Sequence, residues 1–242
     1  MTKLDILAIA AHPDDVELSC AGTLALQTAK GNACGIVDMT RGEMGTRGTP
    51  ELRLQEAAEA AKILGVSARE NLEMADGFFE ETKENLLKVI QVIRKYQPEI
   101  VLCNAPSDRH PDHGRAAKLV KRAAFMAGLR KIETFDDGEP QQAYRPQQVL
   151  HFIQFDDHKP DIIVNIGDHI ETKIKSVLAY KSQFYDPNSS EPETVIASKA
   201  FLENIRNRSQ VHGVLIGVQY GEGFIKSQDL GIDDLMQLRG TR

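Results

Sequence analysis

Two short clusters of imidazole and carboxylate stand out in this sequence. One is Ala11-His12-Pro13-Asp14-Asp15, and the other is Asp108-Arg109-His110-Pro111-Asp112-His113. Imidazole and carboxylate are ligands for Zn²⁺ and related divalent metals. Three side-chain ligands leave a coordination position for water, and the metal lowers the pKa of that water to roughly 7. A nearby carboxylate that does not ligate can take the remaining proton. Adjacent aspartates can divide these jobs, because neighbours on a turn point in different directions. A further histidine can donate a proton or stabilise an oxyanion.

The elements that must position these groups follow from periodicity. Leu4–Ala10 is an almost continuous apolar run, the pattern of a strand buried on both faces. Helical spacing over Val16–Lys30, a strand at Cys34–Met39 and a loop of three glycines and a proline (TRGEMGTRGTP) come next. Glu51–Leu64 favours helix, with Gly65 as its stop. A weak strand at Leu72–Met74, a helix over Glu81–Tyr96 and a short strand at Ile100–Leu102 complete the first half. Such alternation implies βαβ units and a parallel sheet. Farther on, Arg115–Met126, Ile170–Phe184 and Ser198–Ile205 are expected as helices. Gln148–Phe155, Ile162–Ile166 and a late Val214–Val218 are expected as strands, and Gln183–Thr194 as a mobile loop. The expectation is one α/β, Rossmann-like domain over residues 1–242, its mainly parallel sheet flanked by helices and its site at the carboxyl ends of the strands.

Both clusters then fall beyond strand ends on the same sheet edge. Either one alone is compatible with a surface turn, and HPDH with an Asp112 helix cap. Two at one edge are hard to dismiss in that way. A dinucleotide-binding domain would carry GxGxxG after its first strand, where this chain has two carboxylates that repel phosphate. The net charge of −6, with interspersed signs, offers no basic surface for nucleic acid. No segment approaches the roughly 18 apolar residues of a membrane span, and no secretory signal is recognised. Cys20, Cys34 and Cys103 form no CxxC pair, consistent with reduced thiols in a cytoplasmic protein. Cys103 is expected to be a buried structural thiol. His151, His158, His169 and His212 lack metal-type neighbours and are expected to be structural or surface residues.

AHPDD and HPDH together resemble the PIG-L, or LmbE-like, family of zinc-dependent N-acetylglucosamine deacetylases. TRGEMGTRGTPELR, YKSQF at Tyr180–Phe184 and YGEGF at Tyr220–Phe224 extend the resemblance over most of the chain. It implies His12, Asp15 and His113 as ligands of Zn²⁺, with Fe²⁺ as the alternative metal. It also implies Asp14 as general base and His110 as the group that stabilises the oxyanion, with Asp112 orienting His110. Arg53 matches an arginine that holds sugar hydroxyls. The mycothiol branch carries a mobile tyrosine just before HPDH, where this chain has Asp108, so a tyrosine acid is not expected there.

Within the family the features are most like those of the bacillithiol branch, which implies N-acetylglucosaminyl-malate as the substrate. The implied partners are a small-molecule conjugate and further copies of the chain, as a trimer or hexamer. Malate carboxylates need cations, and Arg41, Arg47, Arg53 and Arg109 lie in or beside the loops at this edge. Glu43 and Glu222 are softer candidates. The rivals are a deacetylase of another N-acetyl sugar or a mycothiol-like precursor, an Fe(II) oxygenase built on the two-His, one-carboxylate triad, and a non-catalytic metal- or sugar-binding module.

Overall fold

The computed structural model describes residues 3–238. Nine strands and seven α-helices alternate as β1 (Ile6–Ala10), α1 (Asp15–Ser19), α2 (Ala21–Ala29), β2 (Cys34–Thr40), α3 (Pro50–Leu64), β3 (Ala68–Met74), α4 (Lys83–Tyr96), β4 (Ile100–Cys103), α5 (Pro111–Ala127), β5 (Phe135–Asp136), β6 (Glu139–Pro140), β7 (Gln148–Phe152), β8 (Ile162–Asn165), α6 (Ile170–Leu178), α7 (Lys199–Leu215) and β9 (Gly221–Lys226) among these residues. Seven of the strands make one sheet in the order β3-β2-β1-β4-β7-β9-β8, and β5 and β6 form a separate small hairpin. All pairings in the large sheet are parallel except those of β9, which runs antiparallel to both β7 and β8. Among the described residues, no helix is long and apolar enough to cross a membrane.

Strand β1 is an interior strand of the sheet, and every one of its residues is buried. Leu7 and Ile9 point into a core shared with α4 and α5. Ile6, Ala8 and Ala10 point into the opposite one, with Val16, Leu24, Phe152 and Phe224. This is the period-2 alternation of a strand covered on both sides. The chain winds outward from β1 through β2 to β3, then returns to place β4 on the other side of β1. The order therefore reverses between β1 and β4. A crevice opens at such a reversal, since the loops leaving the two strands diverge.

Several expected elements differ in extent. The helix expected over Val16–Lys30 is two helices, divided at Cys20, where the backbone leaves the helical region (φ −132°). Strand β3 starts earlier than Leu72, and α5 starts at Pro111 rather than Arg115. The helix expected to end at Ile205 runs on to Leu215, so Val214–Val218 is no strand. That apolar run is the exposed end of a helix, with Val211, Val214 and Leu215 more than half exposed, and Gly217 at φ 75° lies beyond the end of the helix. The late strand is Gly221–Lys226, whose two glycines and Glu222 hid it from a hydrophobicity reading.

Candidate functional site

AHPDD follows β1, and HPDH opens α5 after β4, so both clusters face the crevice at the reversal. Ala11 N–H donates to Asn104 Oδ1 at 2.9 Å and stitches the two loops together. The turn after β1 is strained. Asp14 has φ 111° and precedes α1 without a side-chain cap bond, a backbone conformation that an L-residue holds only at a cost of roughly 1–3 kcal/mol. In return its carboxylate is free to leave the helix end. It turns to Arg53, whose Nη2 donates to Asp14 Oδ2 at 2.6 Å. Arg53 Nη1 also reaches Gly42 O at 3.3 Å. Gly42 has φ 67°, and a Cβ there would stand 2.2 Å from that guanidinium, so only glycine lets the arginine in.

Asp15 lies between two imidazoles. Its Oδ2 is 3.4 Å from His12 Nδ1, and its Oδ1 is 3.1 Å from His113 Nε2. The far nitrogen of each ring is held by other carboxylates. His12 Nε2 meets Asp76 Oδ1 at 3.0 Å and Asp112 Oδ2 at 3.3 Å. His113 Nδ1 meets Asp108 Oδ2 at 2.8 Å. A carboxylate on one nitrogen puts the proton there and leaves the lone pair on the other, the arrangement by which outer carboxylates orient metal-binding histidines. Gln154 Nε2 and Asn104 Nδ2 donate to Asp15 at 2.8 and 3.2 Å and fix its plane.

Single ligand atoms of His12, His110 and His113 lie within 4.8 Å of one another, as do those of His12, Asp76 and Asp112. The second set is less open to a cation. Asp76 accepts Met44 N–H, and Asp112 accepts Gly77 N–H and the Arg115 guanidinium. Those carboxylates are already engaged in steering His12. His12 belongs to both sets, and Asp15 to neither; Asp15 in turn accepts His12 N–H as well as the two amides.

The carboxylates set the charge state of the rings. Burial alone would lower the His12 imidazole, but hydrogen bonds to Asp112, Asp15 and Asp76 hold it well above its ordinary value. His113 is likewise raised to about 9, because Asp15 and Asp108 outweigh its burial. Burial pushes the Asp14 carboxyl up to about 6, against the pull of Arg53 and with a further push from Asp15. Burial and the neighbouring His12 and His113 lower His110.

His110 caps α5. Its Nδ1 accepts Asp112 N–H at 3.3 Å, which leaves Nε2 to carry the ring proton. Its ring stands edge-on to His12 with centroids 4.6 Å apart. Asp112 reaches His110 through its backbone N–H, while its carboxylate goes to His12. The Asp112 helix cap considered for HPDH is likewise filled by His110 instead.

These groups line a cleft of about 380 Å³ that also receives Arg47, Arg109, Phe155 and residues 194–196. Arg109 is exposed and stacks on Phe155, its guanidinium carbon 4.5 Å from the ring centroid. Arg47 is buried, and its Nη2 donates to Ser189 Oγ. Arg41 is occupied by Glu51 at 2.9 Å. Glu43 shapes the loop by accepting Asp76 N–H at 2.9 Å. Glu222 is not at the cleft. It accepts Gly22 N–H, Thr23 N–H, the Thr23 hydroxyl and Lys173 Nζ, all at 3.0 Å or less, a buried structural pair. Cys103 is a buried free thiol, as expected.

Three participants escaped the sequence reading. Asp76, Asn104 and Gln154 each stand one or two residues beyond β3, β4 and β7. The strand-end rule that singled out AHPDD would have found them, had it been applied to polar amides and to the weak third strand.

Fold and site define a doubly wound α/β protein with a buried His/Asp centre at its sheet reversal. The family model described as PIG-L, GlcNAc-PI de-N-acetylase, matches residues 7–124. Diacetylchitobiose deacetylase of Thermococcus kodakarensis is 31% identical over 228 residues, covering 90% of this chain and 81% of that protein. The probable N-acetyl-alpha-D-glucosaminyl L-malate deacetylase 2 of Bacillus subtilis is 26% identical over 198 residues, covering 75% of this chain and 84% of that protein. The crystal structure of the conserved protein TT1542 from Thermus thermophilus superposes with a TM-score of 0.84 at 36% identity, over 95% of this chain and 98% of that one. The chain belongs to the PIG-L family.

Proposed function

We propose that this chain, acting as one domain, is a metal-dependent N-deacetylase that hydrolyses the acetamide of an N-acetylglucosamine conjugate to acetate and a free amine. The observation that carries the reading is Asp15 set between His12 Nδ1 and His113 Nε2, with the far nitrogen of each ring tied to a carboxylate. His12, Asp15 and His113 would hold the metal, Zn²⁺ as the family resemblance implies; two imidazoles and one carboxylate form the donor set of catalytic zinc sites and are shared by Fe²⁺. When bound, such a cation polarises the acetamide carbonyl and acidifies water.

The chain's own groups do the rest. Asp14, buried and held by Arg53, accepts a proton from the attacking water. Its ordinary value raised to about 6 suits a base that works near neutrality. Neutral His110, protonated on Nε2, donates a hydrogen bond to the developing oxyanion, so no imidazolium is required. Arg53 keeps Asp14 oriented and borders the space left for the sugar.

The relatives' names support two sugar conjugates, a disaccharide of N-acetylglucosamine and N-acetylglucosaminyl malate. Exposed Arg109 beside Phe155 at the rim favours the malate conjugate, because its guanidinium is available to a carboxylate while Phe155 supports it. The test is amine release from N-acetylglucosaminyl malate, diacetylchitobiose and free N-acetylglucosamine by zinc-loaded protein. Turnover of the malate conjugate well above the others is expected. Equal rates on all three would remove the malate assignment, and no amine from any of them would remove the deacetylase reading. Cytoplasmic function as a trimer or hexamer is part of the same proposal, to be tested by fractionation and by light scattering.

A further inference from the structure

A second buried ion cluster adjoins the Asp14–Arg53 pair through α1 and α3. Its centre is Arg69 on the edge strand β3, with a side chain 9% exposed. All five of its N–H donors are engaged. Nε and Nη2 hold the two oxygens of Asp38 on β2, at 2.8 and 2.9 Å. Nη1 donates to Glu17 Oε1 in α1 and, at 3.2 Å, to Ala57 O in α3. Nη2 also donates to the Tyr180 hydroxyl at 2.8 Å, which in turn donates to Glu17 Oε1 at 3.2 Å. Against the pull of burial, Asp38 and Glu17 hold this guanidinium well above its ordinary value, so it stays charged.

The cluster joins the two helices that carry the base and its partner. Asp14 immediately precedes α1, and Glu17 lies in the first turn of that helix. Arg53 is in α3, one helical turn before Ala57. Helix α1 has five residues and begins at the strained Asp14, so local propensity cannot hold it in place. It packs on β1, α2 and α6. Among the described residues, Arg69 is the one side chain that hydrogen-bonds to both α1 and α3. Its planar fork is anchored to the sheet through both oxygens of Asp38, which fixes the orientation of the bridge. The YKSQF run adds a longer brace between the same helices. Tyr180 reaches Glu17, and Ser182 donates its N–H and its hydroxyl to Glu56 of α3, each at 2.7 Å.

We propose that Arg69 is a positioning residue for the general base: it sets α1 against α3 and so delivers the Asp14 carboxylate to Arg53. The inference rests on the reading of Asp14 as that base. Two features separate this brace from a pair that only balances charge. One of the five donors goes to a backbone carbonyl of α3, which carries no charge to balance. Glu17 is held through Oε1 while its Oε2 is buried without a partner, an atom that a cluster built for stability alone would satisfy.

Arg69→Lys tests the brace, because lysine keeps the charge that offsets Asp38 and Glu17 but lacks the planar fork. With zinc per chain unchanged, kcat should fall about 10- to 100-fold, the scale of a misplaced catalytic group. The discriminating measurement is the cycle with Asp14→Ala. In that background Arg69→Lys should alter the residual rate by less than about twofold, since the two changes act through one group. An equal loss in both backgrounds would make Arg69 structural only and overturn the proposal, as would an unchanged kcat. Tyr180→Phe removes the hydroxyl arm, keeps the ring and the guanidinium, and should show the same dependence on Asp14 with a smaller loss. A crystal structure of the Arg69→Lys protein, or of Tyr180→Phe if the lysine variant does not fold, gives a readout independent of turnover. The Asp14–Arg53 contact of 2.6 Å should open beyond hydrogen-bond distance while His12, Asp15 and His113 stay in place. A contact still at that length would overturn the brace. If the parent protein releases no amine from any N-acetyl conjugate, the reading of Asp14 as base fails, and the crystal structure still decides whether Arg69 sets its position.

Discussion

Two buried charged clusters in this molecule use similar residues toward different ends. At Glu222 every partner is in place, with two backbone N–H groups, a hydroxyl and Lys173 around one carboxylate. At the head of β1, Asp14 sits at φ 111° and three carboxylates surround one imidazole. The first arrangement pairs its charges and ties β9 to α2 and α6. The second gathers carboxylates around histidines and holds its backbone under strain, the arrangement that the proposed metal site and general base would use. The contrast shows why burial of a charge is by itself a poor guide to function. The informative property is whether the protein supplies the compensation.

The sharpest way to break this contrast is to remove Asp14. Asp14→Ala should lower kcat by about 10²–10⁴-fold, the range for general-base catalysis, while zinc bound per chain stays constant by atomic absorption. Glu222→Ala should do the reverse. It leaves Lys173 buried and unpaired, which costs about 3–5 kcal/mol in urea unfolding, and zinc stoichiometry of the folded fraction should not change. If Glu222→Ala lost zinc without losing stability, the division between the two clusters would collapse.

Two smaller changes refine the picture. Asp108→Asn removes the carboxylate that fixes the His113 tautomer, and zinc affinity measured by chelator competition should fall about 10–100-fold. An unaltered affinity would mean that His113 is oriented by packing alone. Thr49→Ala removes the side chain that caps α3 through Leu52 N–H at 3.2 Å. About 1 kcal/mol of stability should go with it, with little change in zinc affinity, because Arg53 lies within the helix and is also held by Asp14 and Gly42.

The half of the chain legible from sequence is the half whose elements obey one period each. Strands β1, β2 and β4 are buried on both faces, so apolar runs mark them, and helices α3 and α4 carry Thr caps and end at the left-handed residues Gly65 and Gln97. The later half is less legible because burial there is not carried by apolar side chains. Strand β9 is GEGFIK, held in place by pairing on both edges and by the Glu222–Lys173 bond. The end of α7 is apolar yet exposed, so hydrophobicity there pointed to a strand that does not exist.

By itself the sequence determined which residue types meet: a parallel α/β chain with imidazole and carboxylate clusters after two of its buried strands. Local propensity and short-range pattern suffice for that, since both act within a few residues. Only the tertiary structure decided how those groups divide their work. The reversal of strand order between β1 and β4 brought residues separated by most of the first half of the chain into one crevice. Asp76 and Gln154 arrived from two other loops, and Asp108 turned back onto His113 from the loop before α5, to aim the rings and the Asp15 carboxylate, and Glu222 was carried to another part of the fold altogether. Hydrogen-bond geometry of that kind depends on positions in space, which no spacing along the chain encodes.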